Sequence, residues 1–409
     1  MISEPLAPIA VCIVLYGAFS NVLGRIGISA PMAFMIAGLL VGAGGLGLVD
    51  IDVENETLEG FGELTLAFIL FADAASTNGR KLLKDSALPF RLLTLSLPLT
   101  LLLGFGVAIV LFPTLSWQEC ALIAAILAPT DAALGYAVVT SPNVPERIRR
   151  AVLVESGLND GLALPAVLLF SALAYNMDGG ENSSFAYWAQ FTLTQIVIGA
   201  LVGVGVGAVF GKLISIAQRN GWITHSFRNL TCVGVAVLVL FCAHALNGNG
   251  FIAAFVCGLI FGDFCRDQTR TLTNFVEEEG QLFSLLIFFF FGAVLLPSAT
   301  DFLTVFCIAY AALSLTMIRM IPTSLSLIGS KVSLPGQAFI GWFGPRGLAS
   351  ILFLFVAVEH QEGARLSQVE AIVYVTVFLS VFLHGATATL FSDAYGRSAA
   401  ARRDAQAKP

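Results

Sequence analysis

The chain has 409 residues, 57% of them hydrophobic and 12% charged, with a net charge of −6 and a mean hydropathy of +0.86. Soluble domains carry about 25% charged residues, so this supply cannot coat a water-soluble surface of that size, and the chain reads as an all-α polytopic membrane protein. No nucleic-acid partner is expected. The lipid bilayer is the expected surrounding, and the 33 Phe and 39 Gly suit lipid-facing bulk and close helix contacts. The seven cysteines are scattered through apolar runs without ligand spacing and read as free thiols, so neither a disulfide framework nor structural zinc is expected.

A spanning helix needs about 20 mostly apolar residues. That rule predicts thirteen spans, near 6–24, 31–49, 61–77, 89–112, 119–140, 150–175, 187–214, 229–247, 250–264, 281–297, 302–328, 336–358 and 368–391. The first shows no signal-peptide cleavage pattern and is expected to be retained. Placing the N-terminus outside puts eighteen of the twenty-one basic residues in cytoplasmic loops and only Arg365 outside, as the positive-inside rule requires. The C-terminus is then cytoplasmic. The tail after Phe391 is short and polar, and is expected to be disordered.

Ionisable groups inside a membrane are costly, and each is a candidate functional residue. The third span carries Glu63 and Asp73. Asp73 is an accessory candidate that can pair with Arg80 two turns on or lie near a cytoplasmic funnel. The fifth carries Ala128-Pro129-Thr130-Asp131. Pro129 removes a backbone donor, and unwound backbone at membrane depth survives only in protein or beside water. A broken helix with a carboxylate and a hydroxyl makes an ion-binding surround; the plainer reading is a kink whose Asp pairs with a neighbour.

The sixth span carries Glu155-Ser156-Gly157-Leu158-Asn159-Asp160. At about 100° per residue, Glu155, Ser156, Asn159 and Asp160 share roughly 140° of arc, a polar face that must look at protein or water. Asp160 lies ten residues beyond Arg150, about 15 Å into a ~30 Å hydrocarbon core, and Asp131 is about 18 Å into its own span from the other side. The two carboxylates thus meet near the midplane.

In the eighth span His244 is a lone intramembrane histidine, as is His384 in the thirteenth; hydrogen-bonded packing is the simpler reading of each. Arg319 in the eleventh span and Arg346 in the twelfth are expected to compensate charge. Either can take Glu155, and Arg346 can instead offset half-helix ends. The twelfth span is interrupted at Gly344-Pro345-Arg346-Gly347. Two interrupted helices in corresponding places of two halves point to inverted repeats with crossing half-helices.

The string Glu155 to Gly161, preceded by Pro129-Thr130-Asp131 and followed by Phe288 to Val294 and Gly344-Pro345-Arg346-Gly347, resembles the NhaP/NHE-like sodium/proton antiporters over nearly the whole chain. The resemblance implies a homodimeric secondary transporter. Its dimerisation domain would be 1–77 and 229–297, its core 78–185 and 298–391, with a linker helix at 186–228 and a cytoplasmic tail at 392–409. It implies that Asp160 carries the cation or the proton, that Thr130 and Ser156 are ligands to Na+, and that Asp131 and Asn159 stabilise the site. Glu155 would partner a buried arginine, and Asn159 in place of a second Asp would go with electroneutral one-for-one exchange.

One departure is Ala132, where many members have Pro. The expected role is pH homeostasis in a bacterial inner membrane, with no cofactor and no enzymatic activity. Sodium-coupled symport of an organic anion is the alternative. An intramembrane aspartyl protease would need a Gly-x-Gly-Asp motif, which the sequence lacks.

Overall fold

A computed structural model describes residues 3–48, 55–76, 87–131, 134, 141–175, 185–265, 269–358 and 364–407. Within them each predicted span has its helix. In chain order these are α1 (Ser3–Arg25), α2 (Ala30–Val41), α3 (Asn55–Ser76), α4 (Ala87–Leu111), α5 (Trp117–Ile126), α6 (Glu146–Tyr175) and α7 (Phe185–Arg219). Then come α8 (His225–Ala245), α9 (Gly250–Phe264) and α10 (Thr269–Phe290, carried through a π turn to Ser298). Next is α11, in two pieces, Val305–Leu315 and Met317–Ser326. The interrupted α12 consists of α12a (Leu334–Trp342) and α12b (Leu348–Val358), and α13 is Ala364–Ala407.

Local chemistry explains the boundaries that hydropathy missed. α2 stops at Val41, earlier than predicted, because the glycine-rich run that follows turns the chain and Gly47 takes φ +62°, a conformation that favours glycine. α4 and α10 each widen into a π turn, Leu92–Ser96 and Phe291–Leu295, just before Pro98 and Pro297, whose rings crowd the preceding turn. α5 starts with a capping box. The Ser116 hydroxyl accepts from the Glu119 N–H at 3.2 Å, and the Glu119 carboxylate accepts from the Ser116 N–H at 2.6 Å.

The C-terminal tail corrects an expectation. Instead of a disordered stretch after Phe391, α13 continues to Ala407. Tyr395 stacks on Phe339 with ring centroids 4.6 Å apart, and Asn143 donates to Asp393 at 2.8 Å. The alanine- and arginine-rich end then propagates an already anchored helix.

Two packing styles divide the bundle. α7 presents Gly199, Gly203, Gly207 and Gly211, four residues apart and so on one face. A Cβ on Gly199, Gly203 or Gly207 would lie 2.6–2.8 Å from the carbonyl oxygens of Asn249, Ala253 and Cys257 on and beside α9. Small residues let helices approach in this way. On its other side α9 sets Gly258 and Gly262 against the backbone of Phe71 and Ala75 on α3. So α7, α9 and α3 form a slab with backbone against backbone. α6 also rests on α9, but there Gly157 and Gly161 face the ring of Phe255 and the side chain of Ile252. All seven cysteines are free thiols.

Candidate functional site

The site is built where the α5 and α12 interruptions cross. After Ile126 the chain leaves the helix, and after Trp342 it runs without helix to Leu348. The Asp131 N–H donates to the Pro345 carbonyl at 2.8 Å, tying one strand of the crossing to the other. The Asp131 carboxylate accepts the first N–H of α12b, from Leu348, at 2.5 Å, where the positive end of the half-helix dipole favours an anion. From α12b, Ser350 donates to the Ile126 carbonyl at 3.1 Å and so satisfies the end of α5. The Arg346 guanidinium donates to the Pro129 and Gly344 carbonyls, both at 3.0 Å, offsetting the negative ends of α5 and α12a. The Arg346 N–H is taken up by Ser380 of α13 at 2.7 Å, and His384 Nε2 lies 2.8 Å from the Trp342 carbonyl that ends α12a.

α6 brings its polar face to this crossing. Asn159 donates to the Thr130 hydroxyl at 2.8 Å, and Thr130 and Ser156 share a hydrogen bond of 2.9 Å. One turn beyond Ser156 stands Asp160, midway along α6. Thr130, Asp131, Glu155, Ser156, Asn159, Asp160, Arg319 and Arg346 are all 4% exposed or less. Glu155 pairs with Arg319 at 2.6 Å, which leaves Arg346 to the backbone carbonyls. Gly344 is needed beside them, because a side chain there would run into the Arg319 guanidinium and Thr130. Two buried oxygens, Asp160 Oδ1 and Asn159 Oδ1, have no hydrogen-bond partner among the described residues. Together with the Thr130 and Ser156 hydroxyls of the same polar cluster they offer oxygen donors alone, which suit a hard cation or a proton.

The remaining candidates lie elsewhere. Asp73 sits three residues before the end of α3; Arg80 is outside the described residues. Glu63 pairs with His244 Nε2 at 2.9 Å, both partly exposed. Residues that the sequence reading did not single out include Ser350, Ser380 and Asn249. Asn249 donates to the Gly161 carbonyl at 3.0 Å, and the only sequence signal for that bond is Pro165, four residues after Gly161.

The family model described as sodium/hydrogen exchanger, transmembrane, matches residues 9–393. The chain belongs to the sodium/hydrogen exchanger family. That is a family of transporters, not enzymes. Among relatives of this chain, the K(+)/H(+) antiporter NhaP of Alkalimonas amylolytica is 26% identical over 80% of this chain and 56% of its own length. The K(+)/H(+) antiporter NhaP2 of Shewanella sp. (strain MR-4) is 25% identical over 90% of this chain and 63% of its own. The chain thus spans about three fifths of the length of these relatives. The solved structure of the sodium proton antiporter MjNhaP1 from Methanocaldococcus jannaschii at pH 8 superposes with a TM-score of 0.78 at 21% identity, covering 95% of this chain and 98% of that one. The fold is therefore the multi-span antiporter fold.

Proposed function

We propose that the protein exchanges a monovalent cation, sodium in the first instance, for protons across the membrane, with both competing for Asp160. The observation that carries this reading is the pair of buried oxygens, Asp160 Oδ1 and Asn159 Oδ1, that have no hydrogen-bond partner among the described residues, on the α6 face whose Ser156 and Asn159 bond the Thr130 hydroxyl. A buried carboxylate needs a proton or a counter-cation, so Asp160 holds one or the other through each transit. Thr130 and Ser156 serve as further ligands to the cation, while Asn159 holds Thr130 in place. Asp131 acts through the crossing, by capping α12b. Glu155 and Arg319 neutralise each other, and Arg346 answers the half-helix ends, so one exchanging carboxylate remains. One proton for one cation is electroneutral.

The core is read as α4–α6 with α11–α13, moving against α1–α3 and α8–α10, with α7 as the linker. The difference between side-chain contacts at the α6–α9 boundary and backbone contacts within the slab supports that division. A homodimer, an outside N-terminus and a bacterial inner membrane complete the proposal; the eighteen-to-one asymmetry of basic residues supports the orientation. Two relatives are named as potassium antiporters and one solved structure as a sodium antiporter, so the cation is the first thing to measure.

The test uses purified protein in sealed liposomes with an internal pH dye, and sodium, lithium, potassium and choline added in turn, with and without a clamped potential. Cation-driven proton movement unaffected by the clamp is expected, as is its loss in Asp160→Asn with unchanged thermal stability. No proton movement with any cation would overturn the antiport reading; retained exchange in Asp160→Asn would overturn the site.

A further inference from the structure

Within an α-helix the carbonyl of residue i receives the N–H of residue i+4. Pro165, inside α6, has no N–H to give, so the carbonyl of Gly161, next to Asp160, loses its helical donor. It is supplied from another helix. Asn249, 1% exposed at the N-cap of α9, donates its side-chain amide to the Gly161 carbonyl at 3.0 Å. The same side chain accepts the Ile252 N–H at 3.0 Å through its oxygen, and the Asn249 backbone N–H donates to the Gln195 carbonyl of α7 at 3.0 Å. Gly199 of α7, lacking a side chain, lets that backbone lie against it. Asn249 is therefore fixed to α7 and α9 by its main chain and its cap, and reaches α6 through one amide group.

We infer that Asn249 is a positioning residue for transport: a detachable latch that holds the proline-freed Gly161 carbonyl in one of the two alternating states. The inference rests on the antiport reading, in which α6 carries Asp160 past the α7–α9 slab. Any such movement separates Gly161 from Asn249, because the asparagine is anchored on the slab side. The bond then favours the state in which it is made, and breaking it adds to the cost of leaving that state. Two side chains share the contact. Ile252 and Phe255 fill the places left by the absent side chains of Gly161 and Gly157, and such apolar contacts slide without leaving a polar group unpaired. The Gly161 carbonyl is the polar group that cannot slide freely, and Asn249 answers it.

Asn249→Ser keeps an N-cap oxygen but is too short to reach Gly161. Pro165→Ala returns the helical N–H and makes the latch redundant. The half-saturating cation concentration is measured on each face of oriented proteoliposomes. A net hydrogen bond shifts a two-state equilibrium by about three- to tenfold. Asn249→Ser is therefore expected to move the two half-saturating concentrations in opposite directions by factors of that order, and to do so much less in the Pro165→Ala background. An equal loss on both faces, or an unchanged effect in that background, overturns the latch.

Hydrogen–deuterium exchange over residues 157–165 of the same variants in detergent needs no transport. Faster exchange in Asn249→Ser that Pro165→Ala suppresses supports the latch, and faster exchange that Pro165→Ala leaves untouched overturns it. Wild-type protein without any proton flux would defeat the antiport reading instead, while the exchange experiment still decides whether Asn249 holds the Gly161 carbonyl.

Discussion

The α7–α9 slab and the α5–α12 crossing solve the same problem, bringing helices together without a hydrophobic drive from water, in opposite ways. In the slab the glycines of α7 bring its backbone against that of α9, and the contact is made by main-chain atoms and small or apolar side chains. At the crossing the helices stop short, and their ends are met by Asp131, Ser350, Arg346 and His384. Backbone-on-backbone packing has one deep minimum, since no side chain can rotate out of the way. A crossing held by side chains has polar groups and oxygen ligands to offer an ion. Rigidity and chemistry have been assigned to different helices, and α6 is where they meet.

Breaking the buried ion pair at the crossing should have the largest effect. Arg319→Ala leaves Glu155 alone at 2% exposure and should cost about 3–5 kcal/mol, read as a fall in melting temperature in detergent. A double replacement by apolar residues of similar volume should recover much of it. The slab comes next. Gly203→Val must push α7 away from the Ala253 carbonyl and should cost about 1–3 kcal/mol, seen as lower yield and melting temperature. Gly157→Ala sharpens the contrast: its new methyl meets the Cδ2–Cε2 side of the Phe255 ring rather than a main-chain carbonyl, and a side chain can shift where backbone cannot, so the same assay should show a smaller loss. Ser350→Ala orphans the Ile126 carbonyl and should cost about 1 kcal/mol while slowing exchange more than it lowers stability. Asn143→Ala, at an exposed bond to Asp393, should fall within about 0.5 kcal/mol of wild type.

Hydropathy found every span because bilayer thickness imposes a length on each helix, and Pro129 and Pro345 marked both interruptions because proline breaks a helix wherever it falls. The polar face of α6 was likewise visible as spacing. Which arginine takes Glu155 was not, since that depends on how far α11 sits from α6, a distance no single sequence records. Asn249 was missed for a similar reason. Its partner is a backbone carbonyl 88 residues away, and backbone atoms have no letter in the sequence. The helical extension of α13 was hidden because its anchors, Phe339 and Asn143, belong to other segments.

The crossing also sets an order of assembly. Pro129 and Asp131 depend on Arg346 and Leu348, 217 residues later in the chain. When α5 first enters the bilayer, the carbonyls around Pro129 have neither helix nor arginine to meet them, a state that lipid tolerates poorly. Until α12 is inserted, α5 must shelter among its neighbours or borrow a partner from the insertion machinery. A chain ending after α11 would carry Asp160 and every residue of the α6 polar face, yet would have no site.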